Sequence, residues 1–170
     1  MSPPVFLRSI EESGLSTWIR QSDSIFGFYF ILVFHTIGMA LIVGANLVLD
    51  LCLLGALPDV PLLPLERLFP IMWSGFLLNA VSGTFLVIGY PTKSLTNPVF
   101  YFKLLFIVIA LITMEKLRKR VFGDRSLDEI AMAANGKTLA KLSIFWWVAA
   151  ITAGRLLAYT YKYLQYGVPS

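Results

Sequence analysis

His35 is the one histidine of this chain, and it stands inside an almost unbroken apolar run, 26–48. At that depth an ionisable side chain is costly and usually has a task. A neutral imidazole offers a metal ligand through one ring nitrogen, a proton acceptor, or a hydrogen-bonding strut between helices. Two cations are placed to join it: Lys103 and Arg155 each interrupt an apolar run, and with Asn79 and Tyr159 they are candidates to line a polar cavity that holds an anionic group. A guanidinium at mid-helix costs about 2.5–3.5 kcal/mol on insertion scales unless it snorkels or finds a partner. No acid lies at its depth, because Asp50 and Glu115 belong to the ends of their runs. Backbone carbonyls, the hydroxyls of Tyr159 and Tyr161, or an external anion such as a propionate, a phosphate head group or an acidic partner residue remain.

Other chemistries find less support. His35, Met39, Cys52 and Met72 are soft or borderline metal ligands, but they follow no metal-binding spacing. The chain has no G-x-S-x-G, no H-E-x-x-H and no phosphate loop. A serine using His35 as its base would lack an orienting acid, so the expectation is a protein that is not itself an enzyme. Cys52, the single cysteine, allows neither an intrachain disulfide nor a thiolate cluster.

The elements that must position these residues are membrane helices. Of 170 residues, 57% are apolar and 14% charged, a balance that needs lipid to cover it. The net charge of +4 belongs mostly to links beside apolar runs, where it orients the chain and attracts anionic lipid, so nucleic acid is not an expected partner. About 20 apolar residues cross a bilayer core as a helix, and four windows qualify: 25–49, 68–89, 98–114 and 142–164. The reading is an all-α, four-helix transmembrane bundle forming a single domain, 1–170, with a short interfacial helix at its N-terminus. Segment 1–24 has charges and no compact apolar core, so it is expected to stay on the mature protein. The first helix is open to continuing past Asp50 to Ala56 before Pro58, Pro61 and Pro64 end it. In the third link, Ser126-Leu127-Asp128-Glu129 reads as the start of a short interfacial helix that Asn135-Gly136 would end.

The first and third links carry eight basic residues, Arg67, Lys116, Arg118, Lys119, Arg120, Arg125, Lys137 and Lys141, against four, Arg8, Arg20, Lys93 and Lys162, in the termini and second link. The positive-inside rule then puts both termini on the non-cytoplasmic side. Helical spacing groups His35, Gly38, Ile42 and Asn46 on one face of the first span, and Gly75, Asn79 and Ser82, with Gly83 beside them, on the second. Thr152, Arg155 and Tyr159 share a face of the fourth, with Ala149 a turn before. These are read as interior faces, since small residues let helices approach in lipid and polar ones bond between them. Leu32, Val33, Leu41, Phe76, Phe85, Phe106 and Ile107 read as lipid or packing surface. His35 and Asn79 each lie about 15 Å deep and are expected to meet; Asn46, nearer the cytoplasmic end, reads as a separate helix-helix bond. The predicted site is a pocket opening outward, with His35 at its floor and Lys103 and Arg155 nearer its mouth.

Several motifs run through nearly the whole chain: Trp18-Ile19-Arg20-Gln21-Ser22, His35-Thr36-Ile37-Gly38, Leu49-Asp50-Leu51-Cys52-Leu53-Leu54-Gly55, Trp73-Ser74-Gly75-Phe76, Gly83-Thr84-Phe85-Leu86, Asn97-Pro98-Val99-Phe100-Tyr101-Phe102-Lys103 and Gly154-Arg155-Leu156-Leu157-Ala158-Tyr159. Together they resemble a bacterial family of four-helix integral membrane proteins, a domain of unknown function. That family is distantly similar to the membrane part of the copper-resistance D proteins and to b-type cytochrome bundles. The resemblance implies an inner-membrane protein of a bacterium. Relatives often carry arginine where this chain has Cys52, and a histidine near the end of the third span where it has Glu115-Lys116-Leu117. If that histidine holds a cofactor, this chain lacks it.

The leading expectation is a small membrane subunit that anchors or assembles a larger complex, as a homo-oligomer or with other subunits, in contact with membrane lipid. The alternative is a redox subunit binding haem b, with His35 as axial ligand to the iron and Lys103 and Arg155 pairing its propionates. A second axial ligand would be Met72, Met114, water or His35 of another copy. Copper handling or small-solute transport is the third reading.

Overall fold

A computed structural model describes residues 5–21, 27–124 and 126–166, with the backbone alone for 5, 158 and 161–166. The expected helix start at Ile25 and the charges of Arg125, Lys162 and the Tyr161 hydroxyl lie outside what is described. The described residues form helices α1 (Val5–Glu11), α2 (Gly14–Gln21), α3 (Phe28–Leu54), α4 (Leu68–Gly89), α5 (Pro91–Leu95), α6 (Pro98–Phe122) and α7 (Glu129–Tyr166), with a 3-10 turn Leu63–Arg67 before α4. Four of them are long and apolar enough to cross a membrane. This is a multi-pass, all-α membrane bundle.

α3 does run on past Asp50, to Leu54. Its stop is Gly55 and not the prolines: Gly55 takes a left-handed conformation, φ 82°, which only glycine adopts freely. Its N–H and that of Ala56 then donate to the carbonyls of Cys52 and Leu51, both at 3.0 Å, satisfying the last turn. α6 begins where Asn97 Oδ1 accepts the Val99 N–H at 3.0 Å ahead of Pro98, a cap and a first-turn proline together. It continues to Phe122, carrying two basic turns beyond the expected end at Met114.

The interfacial helix expected after Asp128 does start there, with Asp128 Oδ1 accepting the Ala131 N–H at 2.8 Å. It does not stop at Asn135-Gly136, for α7 is one continuous helix from Glu129. Gly136 is buried, and a Cβ on it would come within 2.9 Å of Leu53 and 3.0 Å of Val121. It is a contact residue that lets α7 pass close to α3 and α6, and packing overrides its tendency to break a helix.

α4 packs on α3, α6 packs on α7, and α3 and α7 meet along the middle. At the end bearing the basic links, α4 and α6 are tied by Trp73 Nε1 donating to Glu115 at 3.0 Å. The edge-to-face pair Phe69–Phe122 adds to this tie at 5.6 Å between centroids. The apolar core is concentrated in this half, around Leu49, Leu53, Phe69, Met72, Met114 and Leu117. At the opposite end α1 and α2 sit over α4 and α5. Ile19 lies against Gly89, Ser16 Oγ donates to the Gly89 carbonyl at 3.3 Å, and Thr92 Oγ1 donates to Glu11 at 2.7 Å. Arg20 closes the group as an ion pair with Glu11 at 3.0 Å.

Candidate functional site

The site is built on a close backbone contact between α3 and α4. A Cβ on Gly38 would lie 2.7 Å from the Asn79 nitrogen, and one on Gly75 2.8 Å from the Ile42 nitrogen. Glycine at both positions lets α3 and α4 touch backbone to backbone. That approach brings His35 onto α4. Asn79 Nδ2 donates to the His35 carbonyl at 2.7 Å, while His35 Nδ1 lies 3.1 Å from the Asn79 carbonyl and 3.1 Å from Ser82 Oγ. The Ser82 hydroxyl gives its hydrogen to the Leu78 carbonyl at 2.6 Å. Both neighbours of Nδ1 therefore accept, so the network assigns the ring hydrogen to Nδ1 and leaves a lone pair on Nε2. Gly83 makes room for the ring, since a Cβ there would stand 3.2 Å from His35 Cε1.

α6 and α7 meet this level from the other side. Lys103 is half-buried, and its Cε and Nζ lie 3.7 and 3.9 Å from where a Gly154 Cβ would be. Its charge is within electrostatic reach of His35, and neither carboxylate ion pair among the described residues includes it. His35, Asn79, Ser82, Gly83, Lys103 and Gly154 thus bring all four spans to one level. The arrangement offers a fixed imidazole nitrogen and an ammonium, suited to an anionic or metal-bearing group.

Arg155 and Tyr159 are not part of it. Both are exposed on the outside of α7, as is Thr152, so the face read as interior looks away from the bundle. The buried face of α7 is Ser143, Trp147, Ala150 and Ala153. Small residues permit the close helix contact, and the longer polar side chains are left on the outer surface of the helix.

The second axial ligands considered for iron are also misplaced. His35 is level with Ser82, and Met72 is ten residues further along α4, about 15 Å away. Met114 is eleven residues beyond Lys103, about 16 Å. Both methionines are fully buried in the apolar core. Cys52 lies seventeen residues along α3 from His35, about 25 Å, so the soft ligands are dispersed. Among the described residues no three His, Cys, Asp or Glu side chains gather to hold a metal ion.

A second polar centre was missed from the sequence. Asn46 Nδ2 donates to Asp50 Oδ2 and to Ser143 Oγ, each at 2.6 Å, joining α3 to α7. The helix-helix bond expected of Asn46 is there, but Asp50, read as lying at a helix end, is 0% exposed. The signal was available: Asp50 is one turn from Asn46 and continues the stripe of His35, Gly38, Ile42 and Asn46. Comparison of the chain with family models, curated proteins and solved structures finds no match.

Proposed function

We propose that this chain is a small, non-catalytic integral membrane subunit that anchors or assembles a larger membrane complex, or a homo-oligomer, through helix-helix contacts. The observation that carries this reading is the exposed stripe Thr152, Arg155 and Tyr159 on α7. Thr160 bonds Asn97 at the head of α6, and Arg155 is five residues below it, about 7.5 Å inside. A guanidinium facing acyl chains there is costly, and a neighbouring helix with a carboxylate would remove the cost. Purification in mild detergent should then bring down a stoichiometric partner or an oligomer, and Arg155→Leu should weaken the association. A solitary monomer, unchanged by that substitution, would defeat the reading. The family resemblance supports a bacterial inner membrane, and charge asymmetry an orientation in it with the basic links in the cytoplasm and both termini outside. Reporter fusions to either terminus test it.

One observation favours a second reading, a redox subunit holding haem b. A ligating histidine ordinarily donates its other ring N–H to a carbonyl, as His35 does toward Asn79. Lys103 would face a propionate. Among the described residues His35 alone would ligate the iron and no second ligand lies within reach, so the other would be water or His35 of another copy. A Soret band in the purified protein, lost in His35→Ala, is the expected spectrum under this reading; its absence after expression in a haem-replete host removes it.

A further inference from the structure

The centre between α3 and α7 holds a carboxylate that no described residue pairs as an ion pair. Asp50 and Ser143 are 0% exposed and Asn46 1%. Asn46 spends its amide hydrogens on Asp50 Oδ2 and Ser143 Oγ, and three buried polar atoms are left over: Asp50 Oδ1, Asn46 Oδ1 and Trp147 Nε1. Two of these are oxygen acceptors one helical turn apart on the same face, with the Ser143 hydroxyl against the Asp50 carboxylate from the other helix. Unpaired buried oxygens are costly, and a lone buried charge far more so.

Among the described residues no cation answers it. α4 has no ionisable residue between Leu68 and Gly89. On α6, Glu115 is turned to Trp73 and Lys116 is exposed. On α7, Lys137 and Lys141 are exposed on the far side from Ser143. On α3 itself, Cys52 is two residues on and turned away from the Asp50 face, while His35 and Tyr29 lie fifteen and twenty-one residues back, about 22 and 31 Å away.

We propose that Asp50, Asn46 and Ser143 form a binding site for a monovalent cation, Na+ or in its place a proton, within the α3–α7 seam. The donor set fixes the class. All of its donors are hard oxygens, which suit an alkali ion or a proton and not a soft metal. A single carboxylate balances one positive charge, so a divalent ion would leave an excess charge buried. Because the site bridges the two central helices, occupancy stabilises their contact, as any ligand of the folded state does.

The test is thermal unfolding of the full chain in detergent, titrated with NaCl against KCl and choline chloride at constant ionic strength, with infrared spectra of the carboxyl region. If Na+ is the occupant, the melting temperature rises with NaCl and not with choline, and Asp50→Asn abolishes the response. If a proton is the occupant, stability ignores Na+, and a protonated-carboxyl band is present that Asp50→Asn removes. Ser143→Ala, which keeps the acid, covers the event that Asp50→Asn does not fold. It should raise the Na+ midpoint about tenfold, or shift the carboxyl band. A Na+ response that survives both substitutions, or an ionised Asp50 with no Na+ response, overturns the site.

Discussion

α3 carries two polar centres, one level with Ser82 and one with Ser143, and they are finished differently. At the first, side chains bond backbone across the α3–α4 contact: Asn79 to the His35 carbonyl, His35 to the Asn79 carbonyl. Each helix satisfies the other, and what remains over is one imidazole lone pair beside Lys103. At the second, side chains bond side chains, and two oxygens and an indole N–H are left without partners. The first centre is a clasp with a spare ligand atom. The second leaves buried polar atoms that none of the described residues satisfies.

The sharpest way to break the contrast is to remove the clasp itself. Gly38→Ala puts a methyl 2.7 Å from the backbone nitrogen of Asn79, and backbone cannot turn aside as a side chain can. α3 and α4 must separate, taking His35 off Ser82, at a cost of about 3 kcal/mol. Thermal unfolding in detergent should show the largest loss of any single substitution here, while the Asn46–Ser143 bond persists. Wild-type stability would mean the two backbones do not touch.

Asn46→Leu is next. It severs both 2.6 Å bonds and leaves Asp50 and Ser143 stranded, for a loss of about 2 kcal/mol by the same measurement. Asn79→Leu should cost less, about 1 kcal/mol, since it removes one bond to a carbonyl that keeps its own helical partner. A reversed order would mean that the α3–α4 clasp and not the α3–α7 seam depends on its amide.

What could be read in advance follows the same line. The interior faces of α3 and α4 were legible because their small and polar residues coincide: His35, Gly38 and Asn46 on one, Gly75 and Ser82 on the other, all buried. On α7 the two signals part. Polar Thr152 and Arg155 face out, and the contact face is Ala150 and Ala153, whose alanines look unremarkable in a helix that holds several others. Gly136 misled for a related reason, since a glycine that ends a helix and one that admits a neighbouring helix have the same letter. Asp50 was hidden by its position close to the end of a long helix, where a carboxylate is expected to reach water. Only the extension of α3 to Leu54 and the pass of α7 across it bury the side chain.

The smallest predicted effect lies where the same two residue types meet in water. Asp124, beyond the end of α6, accepts the Ser126 hydroxyl at 2.6 Å and the Ser126 N–H at 2.9 Å, both on Oδ1. These bonds favour the charged form and hold its carboxyl below the usual carboxylate range. The sign follows: whatever order the turn gains is fully present above the ordinary carboxylate pKa and is lost as pH falls through the lowered value. Amide exchange at Ser126 should quicken over that acid range and, in Asp124→Asn, lose the acid step, with no change in the bundle's melting temperature. Asp50 has the same kind of serine partner, yet its Oδ1 has no donor. Water can complete the bonding of an exposed Asp124 at little cost, whereas a seam between helices offers Asp50 only what binds there.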